Sequence, residues 1–326
     1  MRKETWLKRF QESGDLKGHA NAYLDYLSQK GLSPKTVYHQ YHLLKRFIGW
    51  CDDGKADTLL NLTLETLEAY QVWLIQAPIG LKEETLRPKS ARLNLQAVKR
   101  FLKWCQRTGD LFENPAVYLT LGESKPSRLK ECLTEREMNS LLSFPDPTTR
   151  IGLRDKTMLE VLYSTGIRKS ELLGLDLSDI DFFGGILTIR NGKGNKQRLV
   201  PIGERALDWT KTYLAQSRPK FEKTPHSALF LSQKNKRVDV GPVTNVIQKA
   251  KDQFHIKKWG NAHLIRHTMA TLMLKNGADL RVIQEILGHS HINTTLIYTH
   301  LDISDLKKVH QKTHPAEQGT SKGLLF

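Results

Sequence analysis

The sequence predicts a mainly α-helical protein of two domains, the second carrying one small antiparallel sheet. Three observations predict it. Apolar residues recur at helical spacing along most of the chain. A polar stretch holding glycine, proline and several charges, Tyr118 to Thr134, interrupts that pattern. Period-two alternation appears once, on either side of "NGKGNK". The 326 residues exceed what one small core needs and suit two. The expected boundaries are a helical domain over 1–117, an extended basic linker over 118–133, a second domain over 134–303 and a tail over 304–326.

The helices are justified in order. "GHANAYLDYLSQKG" sets Ala20, Tyr23, Leu24 and Leu27 on one face and stops at Gly31. "SPKTVYHQYHLLKRFIGWC" begins with Ser33 as N-cap and Pro34 at the first helical position, and Val37, Tyr41, Leu44 and Phe47 follow at helical spacing. "LETLEAYQVWLIQ" fits a third helix, and Ala77 to Lys89 reads as a loop. A fourth, "SARLNLQAVKRFLKWCQRTG", combines an apolar face with Arg92, Lys99, Arg100, Lys103 and Arg107, almost without acids. That face is either a solvated surface or, the reading favoured here, a set of phosphate contacts.

After the linker, "TERE" opens the second domain: Thr134 caps a helix and Glu137 completes a capping box. "RDKTMLEVLYSTG" and "RKSELLGL" read as helices. "ILTIR" and "QRLVPI" read as a β-hairpin closed by the glycine-bearing turn. Helices resume at "PVTNVIQKAKDQF", "AHLIRHTMATLMLKNG" and "DLRVIQEILGH", and a short one is expected in the tail.

Composition narrows the function. Lys and Arg number 50 against 34 Asp and Glu, a net charge of +16, and the isoelectric point is about 9.7. Such an excess points to a polyanion, with nucleic acid the best fit. No apolar run approaches the roughly 20 residues of a membrane span, and "MRKETWLKRF" lacks the apolar core of a signal peptide. Cys51, Cys105 and Cys132 are odd in number and far apart, as free thiols of a reducing cytosol are.

Several residues could carry chemistry. Arg168 follows a glycine turn at a helix start, and Glu171, three residues on, could hold its guanidinium by a bidentate bond or form a plain surface ion pair. Lys193 stands at the hairpin tip between Gly192 and Gly194, beside Lys196 and Arg198. The spacing is not that of a phosphate-binding P-loop. His263 and Arg266 share a helix face. His263 and His267 are four apart, yet the zinc-protease pattern needs Glu where Leu264 stands, so no metal is expected. His289 follows Gly288, and Tyr298 closes the series. Together the set supplies cations to offset charge on phosphate oxygens, groups to move protons and a hydroxyl to attack, with no acidic metal cage.

This ordered series, Arg168, Lys193, "HLIR", "LGH" and Tyr298, resembles the tyrosine recombinase (phage integrase) family, nearest in layout to the Xer type. The helical first third is similar to that family's SAM-like core-binding domain. Ile265 and Ile167 stand where leucine is more usual, and the Ala77–Lys89 loop is long. The resemblance implies a clamp around duplex DNA and a site-specific recombinase working through a 3′-phosphotyrosine, with no cofactor. It implies that Tyr298 is the nucleophile, that Arg168 and Arg266 bind non-bridging oxygens and that Lys193 protonates the leaving 5′-oxygen. His263 would accept the tyrosine proton, His289 would bond the phosphate, and Glu171 would position Arg168. DNA contacts are expected from Arg92, Lys99, Arg100, Lys103, Lys196 and Arg198. The implied partners are double-stranded DNA with specific sites, a homotetramer or a heterotetramer with a sister recombinase, and an accessory DNA-binding factor. No membrane partner is expected, and the location is the cytoplasm, at the nucleoid when bound. The apolar end "GLLF" is expected to dock on a neighbouring protomer. A type IB-like topoisomerase, a DNA-binding regulator without catalysis and a metal-dependent nuclease are the competing readings.

Overall fold

The computed structural model describes Phe10 and residues 15–79, 82–120, 131–190, 197–288 and 303–318, the side chains of 78, 79 and 82–84 excepted. By contacts the chain divides into two units, Met1–Arg128 and Leu129–Phe326, each with its own core.

The first unit is built from α1 (Asp15–Gln29), α2 (Pro34–Asp52), α3 (Leu64–Gln76) and α4 (Pro88–Thr108). Local chemistry sets their ends. The Ser33 hydroxyl accepts the Thr36 N–H at 3.2 Å, and Pro34 takes the first helical position, where its missing N–H costs nothing. Gly109, at φ 86°, ends α4, and its N–H returns to the Cys105 and Gln106 carbonyls. Leu24, Leu44, Phe47, Leu67, Tyr70 and Phe101 are fully buried where the helices meet. Cys51 and Cys105 belong to this core, and burial pushes both thiols up to about 12. The Ala77–Lys89 loop differs from its expectation. It contains two short antiparallel strands, β1 (Pro78–Ile79) and β2 (Lys82–Thr85), whose backbone groups satisfy one another.

The second unit opens with α5 (Glu135–Ser143), where Thr134 and Glu137 form the full capping box. Next come α6 (Arg150–Thr165), α7 (Lys169–Gly174) and the antiparallel sheet β3 (Ile180–Asp181), β4 (Ile186–Ile189), β5 (Arg198–Pro201), in that order. Then follow α8 (Glu204–Gln216), α9 (Val240–Gln253), α10 (Ala262–Lys275), α11 (Leu280–Leu287), α12 (Ile303–Thr313) and α13 (Pro315–Gln318). The sequence reading did not anticipate α8.

Helix α6 is the axis of the unit. From Leu153 to Thr165 every residue but Lys156 is buried, against α5, α8, α9 and α10. Its polar residues survive burial because each is partnered. Glu160 accepts Arg205 Nε at 2.9 Å, Thr157 donates to the Leu153 carbonyl at 2.8 Å, and Ser164 Oγ accepts the Gly203 N–H at 2.8 Å. Both α10 and β5 receive α12, so residues 303–318 pack on their own unit. The "GLLF" end lies outside the described residues. No helix among the described residues is long and apolar enough to cross a membrane.

Candidate active site

Two helix ends and one carboxylate organise the site. Helices α6 and α11 each stop at a left-handed glycine, Gly166 at φ 59° and Gly288 at φ 63°. The last carbonyls of a helix lack intrahelical donors and carry its negative dipole end, so a cation is favoured there. Arg266, on α10, fills both places at once. One terminal nitrogen donates to the Gly166 carbonyl at 2.6 Å, the other to the Leu287 carbonyl at 2.7 Å. Burial, with repulsion from Arg168 and Arg198 added, lowers its pKa to about 10, which leaves it charged at neutral pH.

Arg168 is the N-cap of α7. Its guanidinium donates to Glu171 Oε1 at 2.8 Å and to the Gly288 carbonyl at 3.3 Å, while its backbone N–H donates to Glu171 Oε2 at 2.8 Å. Its side chain remains 23% exposed. The fork-to-fork pair with Glu171 belongs instead to Arg198, at the start of β5. That arginine donates from its two terminal nitrogens to Oε1 at 3.0 Å and Oε2 at 2.8 Å. Burial alone would raise the Glu171 pKa. The Arg198 hydrogen bonds and the Arg168 backbone N–H override it and hold the carboxyl at about 2.

Three guanidiniums therefore face one carboxylate, and the cluster carries a surplus of two positive charges. Such a surplus, held by helix ends that cannot move away, suits a phosphate whose charge grows during reaction. His263 is exposed on the first turn of α10, three residues before Arg266. Lys193, Lys196, His289 and Tyr298 lie outside the described residues. Their chain neighbours are placed: β4 and β5 flank the segment carrying Lys193 and Lys196, and Gly288 directly precedes His289.

On the basic face of α4, Arg100 and Lys103 are exposed. Lys99 bonds the Leu119 carbonyl at 2.7 Å, and Arg92 is half-buried. Sequence reasoning missed the carbonyls of Gly166 and Leu287 as the seat of Arg266, and Arg198 as the partner of Glu171. The glycine after each helix was a usable signal for the first. No local signal marks the second, because the two residues are 27 apart.

A helical unit followed by a mainly helical unit with one small antiparallel sheet is the fold expected from the resemblance, and comparison with known proteins agrees. The chain belongs to the phage integrase family: residues 131–304 match that family, and residues 20–109 match its N-terminal SAM-like domain. It is 38% identical over 300 residues to the tyrosine recombinase XerC 2 of Ralstonia nicotianae, covering 91% of this chain and 86% of that protein. It is 34% identical over 294 residues to the tyrosine recombinase XerD of Lacticaseibacillus casei, covering 90% and 96%. Among solved structures, a lambda integrase tetramer bound to a Holliday junction shares the fold, with a TM-score of 0.65 at 19% identity over 89% of this chain and 81% of that one.

Proposed function

We propose that the chain is a site-specific recombinase that cuts and rejoins duplex DNA through a phosphotyrosine. The carrying observation is the cluster at the ends of α6 and α11, where Arg168, Arg198 and Arg266 stand with two positive charges in excess of Glu171. Relatives matched along 86% and 96% of their length and named tyrosine recombinases support the reading. In the reaction, the Tyr298 oxygen bonds to the scissile phosphorus as the bond to the 5′-oxygen breaks. His263 takes the phenolic proton, and Lys193 supplies one to the departing 5′-oxygen. Arg168 and Arg266 hold the non-bridging oxygens, joined by His289. The ester bond is retained on the tyrosine, so a 5′-hydroxyl can reverse the step without another energy source. Arg92, Arg100, Lys103 and Lys196 grip phosphates nearby.

Exchange between two duplexes requires four such centres, so the working form is a tetramer on two sites, of one chain or two sister chains, with an accessory factor where a site demands it. Residues 319–326 are the segment left to contact a neighbouring protomer. The enzyme works in the cytoplasm on chromosomal or mobile-element DNA.

The test is to trap covalent protein–DNA complexes with strong detergent in cells making the wild type or Tyr298→Phe, then to sequence the attached DNA. Adducts at discrete sequences with the wild type, and none with the phenylalanine variant, are expected. Arg168→Ala should reduce them about a hundred- to a thousandfold, the usual loss for one preorganised donor. Adducts spread without sequence preference would favour a topoisomerase, and adducts that survive Tyr298→Phe would remove the nucleophile assignment.

A further inference from the structure

We infer that Arg198 is a positioning residue of the cleavage centre, acting on the scissile phosphate through Glu171 and Arg168 rather than by contact. The inference rests on the recombinase reading above.

Glu171 is saturated. Oε1 accepts from the Arg168 and Arg198 side chains, and Oε2 accepts from the Arg168 backbone and the second Arg198 nitrogen, all between 2.8 and 3.0 Å. A carboxylate offers about four acceptor positions, so none is left for another donor. The Glu171 side chain is 3% exposed and cannot turn without breaking charge-assisted bonds in a dry place. Two of its four bonds come from Arg198. Without them the carboxylate would be held only by the residue it is supposed to hold.

Arg198 is poorly placed to grip DNA itself. Both its terminal nitrogens hold a buried carboxylate, whereas those of Arg266 hold neutral carbonyls, so a phosphate would have to displace an anion from Arg198 and not from Arg266. Arg198 is well placed to couple parts of the site. It begins β5, the strand that follows the segment carrying Lys193, and so ties the β4–β5 pair to the start of α7, where Arg168 sits. Its side chain also comes close to Gly288: a Cβ added there would stand 2.8 Å from Nε, 2.9 Å from Cδ and 3.1 Å from Cζ. Arg198 thus contacts the two features that orient the Arg168 guanidinium, the Glu171 carboxylate and the Gly288 turn.

The probe is a duplex carrying the strongest sequence peak recovered from wild-type adducts. Dissociation constants and single-turnover rates of adduct formation are measured for the wild type, Arg198→Ala, Arg198→Lys, Glu171→Gln and the Arg198→Ala/Glu171→Gln double variant. The expected result for Arg198→Ala is affinity within about threefold of wild type and a rate roughly ten- to a hundredfold lower, the scale of losing hydrogen bonds to a charged group. Arg198→Lys keeps the charge without the fork and should fall between. The double variant should be no slower than the slower of its two single variants, because both changes cut the same chain of contacts.

Weakened affinity that adds to the effect of Glu171→Gln would overturn the inference and make Arg198 a phosphate grip. An unchanged rate would overturn it as well. Should Arg198→Ala melt below the assay temperature, Arg198→Lys decides: a slower rate at wild-type affinity supports the inference, and a wild-type rate overturns it. Absence of any adduct with the wild type is a different failure, since it removes the recombinase reading itself and this inference with it.

Discussion

At the residue scale, Gly288 shows how backbone and site chemistry meet in one position. It ends α11 in the left-handed region, gives its carbonyl to Arg168, and leaves room for the Arg198 guanidinium where any side chain would collide. Gly277 provides the comparison: it too has positive φ, at 88°, but nothing lies within 4 Å of where its Cβ would go. Alanine at either position meets the left-handed penalty of about 1–2 kcal/mol. Gly288→Ala must in addition displace Arg198, and with it the hold on Glu171. Both variants should therefore melt several degrees below the wild type, with Gly288→Ala the lower. Only Gly288→Ala should also slow adduct formation at temperatures where both remain folded. Thermal melts and single-turnover rates measured side by side check this. Equal activities would show that the close approach of Arg198 to Gly288 has no bearing on the reaction.

At the element scale, the C-terminal helices are fastened by two buried histidines. His310 Nε2 lies 2.6 Å from the Ser164 carbonyl and His314 Nε2 3.0 Å from that of Tyr163, both in the last turn of α6. The rings stack with centroids 4.6 Å apart. Because His314 Nδ1 accepts the Ala316 N–H, its Nε2 carries the proton, and the ring is neutral. Burial lowers His310 to about 4, and burial together with His310 takes His314 well below the ordinary imidazole range. The linkage sign follows from that depression: the undocked state binds protons more readily, at about the free imidazole value of 6.5. Docking is at full strength above that value and weakens as pH falls from there toward 4. Glu317 works in the opposite sense, since burial raises its pKa, but it is one group against two. Amide hydrogen exchange of α12, corrected for the intrinsic pH effect, should be faster at pH 5.5 than at pH 7.5. Replacing both histidines with phenylalanine should flatten that dependence. An α12 equally protected at both pH values would mean that the buried imidazoles do not govern docking. The same turn of α6 leads to Gly166, which seats Arg266, so a loosened α12 should also show as slower adduct formation in acid.

At the scale of the whole molecule, what the sequence made legible was local, and what it hid was not. Ser33 with Pro34, Thr134 with Glu137, and Gly109 after α4 mark helix ends through bonds that span about one turn, so neighbouring letters suffice to read them. Arg168 and Glu171 are a turn apart and were legible for the same reason, whereas Arg198 reaches Glu171 across 27 positions and Arg266 reaches Gly166 across 100. Helix α8 escaped because its buried stripe mixes small and polar residues, Ala206 and Thr210, with Leu207 and Tyr213, which blurs the apolar period. The division into two cores bears on function directly. The core of the first unit runs from Leu16 to Leu119 and that of the second from Leu133 to Ala316, with no residue in common. A fragment of residues 129–326 should therefore melt cooperatively and keep Arg168, Glu171, Arg198 and Arg266 together, while losing the basic face of α4. Each neutralised phosphate adds about 0.9 to the steepness with which log affinity falls against log salt. If Arg92, Arg100 and Lys103 each hold one phosphate, the fragment's slope should be shallower by roughly 2.7, and its affinity should fall most at low salt. Salt titrations of the full chain and the fragment on the same duplex measure this. An unchanged slope would place the DNA-gripping residues wholly in the second unit and leave the α4 lysines and arginines as a solvated surface.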